Sequence, residues 1–143
     1  MQKKKWLWII WQCTWGVIQT FFGASLFLLM RRGEKWVWYK SCIVLFWGVS
    51  KGLSAGLFIF VPGHLANGFS EDDPPTVVDH EYGHSVQSAI LGPLYMIIVG
   101  LPSMLWCNLR IVKNWRHRRR IDYYSLPVEK WADRLGGVDR EHE

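Results

Sequence analysis

The feature that most constrains this fold is a run of 25 residues, 6–30, that carries no charged side chain. Three lysines precede the run, and Arg31 and Arg32 follow it. Because a helix rises about 1.5 Å per residue, about 20 apolar residues cross the hydrocarbon layer of a bilayer, and this run is long enough. It is also longer than the apolar region of a cleavable signal peptide. The sequence therefore predicts one retained transmembrane helix over residues 6–30.

The composition agrees with a membrane protein. Of the 143 residues, 50% are hydrophobic and ten are tryptophan, and the apolar residues are concentrated in segments. No linker or repeat divides the chain, so we expect a single domain over residues 1–143. The three cysteines lack paired spacing, which predicts neither a disulfide framework nor a cysteine metal site.

Residues 36–61 combine aromatic and β-branched side chains with lysines and glycines that interrupt any spanning length. The alternation that begins at Val37, and the Pro62-Gly63 turn signal, predict strands over this range. A hydrophobic helix that carries Lys51 is the alternative. If strands form, residues 57–60 precede the motif described below as an edge strand would. An extended peptide could then add to their unpaired backbone groups.

A second apolar stretch, 93–112, is broken by Gly100 and Pro102 into pieces too short to span singly. We predict a membrane-embedded, re-entrant helical hairpin that bends near residues 100–102 and returns both ends to one face. Protein must then cover its exposed backbone groups. The basic run after it, 110–120, would rest on anionic lipid headgroups rather than on nucleic acid, and a solvated loop is the alternative.

Residues 80–84 read His-Glu-Tyr-Gly-His, and we expect them within a helix over residues 76–91. Residues four apart lie on one helical face, so the imidazoles of His80 and His84 can converge on one metal ion. Glu81 lies about 100° further round the helix and is left free to act as a general base. The pattern is typical of zinc-dependent hydrolases.

A catalytic zinc ion usually takes three protein ligands, so one more must come from a separate element. A helix over residues 127–136 offers Glu129 and Asp133, again four residues apart. We favour Glu129 as the third ligand, with Asp133 accepting the free ring N–H of a ligating histidine. Asp133 as the third ligand is the alternative.

The two motifs, His80-Glu81-x-x-His84 and Glu129-x-x-x-Asp133, resemble those of the gluzincin metallopeptidases. Within that group the chain is most similar to the integral-membrane zinc endopeptidases of the CAAX-prenyl-protease and bacterial heat-shock-protease type. The resemblance covers two short segments and implies a Zn²⁺-dependent endopeptidase. Peptide hydrolysis by metal-activated water, with Glu81 as catalytic base, is the reaction we expect. Candidate donors to the oxyanion are Tyr123, Tyr124 and His117.

The sequence thus predicts a mainly α-helical membrane protein with a small β element. Its helical parts are one transmembrane helix, the active-site helix, the re-entrant hairpin and a C-terminal ligand helix. Three of the 17 Lys and Arg residues precede position 31, so the positive-inside tendency places the catalytic part in the cytoplasm, at the inner membrane of a bacterium. His64 is interpreted as an ordinary loop residue.

The expected partners are the lipid bilayer and a peptide or protein substrate, with no nucleic acid. Whether a homo-oligomer covers the hairpin is left open. Two other function classes also remain open. One is a non-catalytic membrane protein whose motif residues hold a structural zinc ion, and the other is a small membrane interaction protein in which the motif is coincidental.

Overall fold

The computed structural model describes residues 2–140, with side chains from residue 4 onward, so residues 1 and 141–143 of the predicted domain lie outside it. The chain is mostly helical and carries one small mixed sheet. The α-helices are α1 (Gln2–Thr14), α2 (Val17–Met30), α3 (Thr76–Leu91), α4 (Leu101–Asn108), α5 (Arg110–Arg119) and α6 (Pro127–Gly136). The strands are β1 (Trp36–Tyr39), β2 (Cys42–Trp47), β3 (Leu53–Ala55) and β4 (Phe58–Pro62). Short 3-10 helices cover Gly63–Asn67, Gly92–Leu94 and Tyr123–Ser125, and a short π-helix covers Met96–Gly100.

The run 6–30 does not form the single helix predicted from its length. It divides into α1 and α2, and the chain changes direction by 99° between them. Gly16 lies at the break and is buried, and a Cβ there would come within 2.5 Å of Gln12 Oε1. Within residues 2–140, no helix is by itself long and apolar enough to cross a membrane. Two bent pairs meet the length and composition requirement together, namely Lys4–Thr14 with Val17–Met30 and Thr76–Leu94 with Met96–Asn108.

The second apolar stretch bends earlier than predicted. The 118° change of direction lies at Tyr95, between Thr76–Leu94 and Met96–Asn108, and not near residues 100–102. Gly92 ends α3 with φ +54°, a backbone conformation that other residues rarely adopt. Pro102 instead lies in the first turn of α4, where its missing N–H costs no intrahelical hydrogen bond.

Four strands occupy the region in which strands were predicted, which excludes the alternative of a hydrophobic helix. Their order is β1-β2-β4-β3, with β2 and β4 parallel and the outer pairs antiparallel. The proposal that residues 57–60 form an edge strand is wrong, because β4 pairs with β2 on one side and β3 on the other. Gly56, at φ +61°, lies in the turn between β3 and β4. The antiparallel pairing of these two strands leaves β3 at one edge of the sheet.

α3 packs on one side against the sheet and on another against α6. Val78 contributes to a core with buried residues of β2 and β4. Gly83 lies directly against the carbonyl of Ala132, and Gly136 against the carbonyl of Asp79, so a side chain at either glycine would overlap backbone. Two small residues on facing helices therefore let α3 and α6 approach closely, and this approach brings the two sequence motifs together.

Candidate metal centre

Two histidines and a glutamate meet between α3 and α6. The rings of His80 and His84 lie edge to face with their centroids 4.8 Å apart. Glu129 Oε2 is 3.0 Å from His80 Nε2 and 3.2 Å from His84 Nε2. The three side chains are buried, and one ligand atom from each lies within 4.8 Å of the others. This group is close enough to hold a metal ion.

The other ring nitrogens are held by acceptors. His80 Nδ1 lies 2.6 Å from Asp133 Oδ1, and His84 Nδ1 lies 2.7 Å from Gln87 Oε1. The orientation of the Gln87 amide is determined by its Nε2, which donates to the carbonyl of Val128 at 2.7 Å. Each Nδ1 must therefore carry a hydrogen, and in a neutral imidazole this leaves the Nε2 lone pair free.

Two Nε2 lone pairs and a carboxylate oxygen thus point at one another in a buried space. Three acceptors at this separation repel unless a proton or a cation lies among them. Neighbouring ligand atoms of a tetrahedral zinc site with bonds of about 2.0–2.1 Å are about 3.3–3.4 Å apart, close to the two separations observed here. Glu129 Oε1 is buried and finds no hydrogen-bond partner within the described part of the chain. The donor set and its spacing fit a bound metal cation.

Electrostatics at the centre favour an ionised Glu129. Burial raises the pKa of Glu129, but the contacts of its carboxylate with His80 and His84 outweigh burial and hold the pKa well below its usual range. Burial lowers the pKa of His84, yet Glu129 and Glu81 beside it raise the pKa to about 9. Without a metal, a proton on His84 therefore balances the carboxylate charge. A metal ion would replace that proton as the positive charge of the site.

Glu81 lies beside this centre, and its carboxylate lies against Gly52. Its side chain is buried, and Gly52 is so close to its carboxylate that a Cβ at position 52 would overlap Oε1. Burial raises the pKa of Glu81, and its charge interactions with the neighbouring His84 and His80 oppose this only in part. A desolvated carboxyl group with a raised pKa is a stronger base than a solvated one.

Glu81 and His80 form part of the wall of a cavity of about 400 Å³. The rest of its lining comes from the loops around the sheet, from α3 and from the C-terminal half of the chain. These residues are Ser50, Lys51, Gly52, Pro62, His64, Leu65, Val77, Cys107, Tyr123 and Tyr124. Lys51 Nζ donates to Asn108 Oδ1 at 2.7 Å. The cavity therefore lies between the sheet loops and the end of α4, with the metal centre at its wall.

The candidate oxyanion donors divide into two groups. Tyr123 and Tyr124 line the cavity, and the Tyr124 ring meets the His80 ring edge to face at 5.2 Å. Burial raises the pKa of both phenols, so both keep their hydrogens at neutral pH and can donate. His117 instead lines a separate cleft on α5, together with Lys113 and Arg116.

Three contributions to the site were not predicted from the sequence. Gln87, which orients His84, follows it by three residues on the same helical face, and that spacing is a signal that could have revealed it. Arg140 binds both carboxylate oxygens of Asp133, at 2.8 and 3.0 Å, and stacks on the Tyr124 ring. No sequence pattern indicates that pairing. His64, interpreted as an ordinary loop residue, lies in a 3-10 turn and lines the cavity.

Comparison of the chain with protein-family models, with curated proteins and with solved structures returned no match in any of the three.

Proposed function

We propose that this chain is a membrane-bound, zinc-dependent metallopeptidase that hydrolyses peptide bonds, as its resemblance to the gluzincins implies. The observation that carries the proposal is the convergence of His80, His84 and Glu129 while Asp133 and Gln87 hold the outer ring nitrogens. Two imidazoles and one carboxylate are the donor set of many catalytic zinc sites. When bound, the ion supplies Lewis acidity, which acidifies water and polarises the scissile carbonyl.

Glu81 is the general base of this proposal. It takes a proton from water in the cavity as the new C–O bond forms at the scissile carbon. It then passes that proton to the amine nitrogen as the C–N bond breaks. Its burial next to the cavity supports this role, because the raised pKa brings its proton affinity closer to that needed at neutral pH.

The surrounding side chains orient the proposed ligands and stabilise charge in the cavity. Asp133 holds the tautomer of His80, and Arg140 neutralises the outer edge of that carboxylate. Tyr123 and Tyr124 are available in the cavity as donors to the developing oxyanion. Asp133 touches only the Nδ1 side of His80, which supports Glu129 as the third ligand.

β3 is an edge of the sheet and follows Gly52, which lies against Glu81. Its residues Ser54 and Ala55 are buried, however, and the carbonyl of Ser54 already accepts a hydrogen bond from Tyr95 Oη at 3.5 Å. The strand-addition hypothesis made for residues 57–60 is therefore not carried over to β3, and we place a peptide substrate in the cavity beside Glu81. A structural zinc site would need a fourth protein ligand, and no fourth His, Cys, Asp or Glu joins the group in the described residues.

The test is zinc content and peptide hydrolysis in detergent-purified protein. We expect about one zinc per chain in the wild type and in Glu81→Gln, a large loss of zinc in Glu129→Ala, and no change in the exposed control Glu34→Gln. Hydrolysis of a quenched fluorescent peptide library should fall roughly 10²–10⁴-fold in Glu81→Gln, the usual contribution of a general base. Metal-free wild type, or equal hydrolysis by wild type and Glu81→Gln, would contradict the proposal. Zinc-loaded protein without hydrolysis would indicate the structural-zinc alternative.

A further inference from the structure

The two bent helix pairs expose large apolar side chains, and the first pair buries two glutamines. Large apolar side chains are exposed along both pairs, with Leu7 at 67%, Phe21 at 73%, Leu29 at 77% and Ile97 at 66%. By contrast, Gln12 and Gln19 of the first pair have no exposed surface. A helix that packs on a water-soluble protein normally buries its apolar face. The reversed arrangement is that of helices whose surroundings are hydrocarbon.

The polar groups that face inward bind α3. Gln12 Nε2 donates to the carbonyl of Ser85 at 2.9 Å, and Gln19 Nε2 donates to Ser88 Oγ at 2.8 Å. Ser88 Oγ in turn donates to Gln12 Oε1 at 3.1 Å. These hydrogen bonds join the first pair to α3, beside the stacked rings of Trp8 and Tyr82.

The same network covers the backbone where the helices break. The carbonyl of Gly92 accepts from Gln19 Nε2 at 3.0 Å, and the carbonyl of Ala89 accepts from Trp11 Nε1 at 2.8 Å. The Trp15 ring lies against Gly92, so the bend of the first pair meets the chain just before the bend of the second. Irregular backbone is tolerated at membrane depth only where protein satisfies its polar groups, and here protein does so for the carbonyls of Ala89 and Gly92.

The length of α2 matches one leaflet. α2 has 14 residues, so it is about 21 Å long, and sharing the 99° bend equally with α1 tilts each arm about 50° from the membrane plane. Such an arm reaches a depth of about 16 Å, close to half of the hydrocarbon thickness of about 30 Å.

The first pair has basic residues at both of its ends. Lys4 and Lys5 lie at one end and Arg31 and Arg32 at the other, with no charged residue from 6 to 30. Basic residues at both ends of a segment favour placing both ends at the same headgroup surface. The second pair is preceded by the acidic residues 71–73 and followed by the α5 segment, which carries Lys113 and four arginines from 116 to 120, so both of its ends also carry charges that favour water or headgroups.

From these observations we infer that both bent pairs enter and leave the same leaflet, and that the chain is embedded in one face of a bilayer with anionic headgroups. The deepest points are the bends at residues 15–16 and 95. One aqueous side is shared by four segments, namely the start of α1, the 31–34 loop, the loop that precedes α3, and helix α5. This inference replaces the transmembrane helix over residues 6–30 and does not depend on hydrolysis.

The test is cysteine accessibility in sealed membrane vesicles of both orientations from bacteria expressing the full chain. In a background with Cys13→Ser, Cys42→Ala and Cys107→Ser, single cysteines replace four exposed residues, Lys5, Glu34, Glu71 and Lys113. A membrane-impermeant maleimide should label all four in the same vesicle orientation and none in the other. Detergent-solubilised samples, in which all four react, and the cysteine-free background, in which none does, are the controls.

Two results would overturn the inference. Labelling of positions 5 and 34, or of positions 71 and 113, from opposite sides would mean that the corresponding pair is a broken span. Release of the protein from the vesicles by alkaline carbonate would mean that the apolar surface is covered by other copies of the chain or by another protein and not by lipid. Retention in carbonate together with labelling of all four positions on one side supports it.

Discussion

The imidazole of His80 is held from two sides by carboxylates on α6. Asp133 Oδ1 is 2.6 Å from Nδ1, while Glu129 Oε2 is 3.0 Å from Nε2. The first contact determines the tautomer, and the second lies where a metal ion would bind. A pair of carboxylates one helical turn apart therefore performs two different tasks on one ring, because each approaches a different nitrogen.

Substitution of Asp133 by alanine should weaken zinc binding without removing a proposed ligand. Loss of an outer partner of a metal-binding histidine typically costs about 10- to 100-fold in metal affinity. The measurement is the zinc dissociation constant from competition with a chromogenic chelator. Asp122→Asn is the control, because Asp122 is exposed and lies outside the site, and its affinity should equal that of the wild type. Unchanged affinity in Asp133→Ala would argue against the orienting role.

At the scale of elements, the site depends on the close packing of α3 on α6. Gly83 meets the carbonyl of Ala132, and Gly136 meets the carbonyl of Asp79. The ligands on α3 reach Glu129 only because these two contacts are made without side chains. The space between the candidate ligands His80, His84 and Glu129 is thus determined by two glycines outside that group.

Gly83→Ala should separate the two helices. Alanine favours a helix over glycine by about 1 kcal/mol, but overlap with the backbone at Ala132 should cost about 1–3 kcal/mol or more, since backbone cannot rotate away. We expect a lower midpoint of thermal unfolding and weaker zinc binding, measured in the same detergent. The control is Gly68→Ala, because Gly68 has negative φ and open space around it. Full zinc affinity in Gly83→Ala would show that the packing does not position the ligands.

Across the whole molecule, a bound ion would connect α3, in the middle of the chain, to α6. His80 and His84 lie on α3, whereas Glu129 lies on the last helix, and residues 92–126 run between them. A ligand that binds only the folded state stabilises it, by about 4 kcal/mol when its free concentration is 1,000 times its dissociation constant.

Removal of zinc with a chelator should therefore lower the midpoint of thermal unfolding. For a chain of 143 residues, about 4 kcal/mol corresponds to a fall of roughly 10 °C. Circular dichroism of detergent-purified wild type, with and without chelator, is the measurement. Glu129→Ala should unfold at the same temperature in both conditions, since it cannot bind the ion tightly. A wild-type midpoint that does not respond to the chelator would count against a metal that couples α3 to α6.

The local parts of this protein can be predicted from residue spacing alone. The spacing of four residues in each motif places His80 and His84 on one face of α3, and Glu129 and Asp133 on one face of α6, because that spacing closes one helical turn. The predicted strands and both motif helices follow from period and turn signals in the same local way.

Which of these parts meet could not be predicted, because it depends on contacts between distant elements. The break at Gly16 depends on Gln12 and Gln19, whose partners lie on α3 some 70 residues away, so length and hydropathy predicted one helix where there are two. The edge position of β3 depends on pairing between strands, which the pattern of a single strand does not reveal. Arg140 reaches Asp133 only because the chain turns back after α6. Patterns in sequence report the geometry of one element, whereas contacts between elements depend on shape and on hydrogen-bond partners distant in the chain.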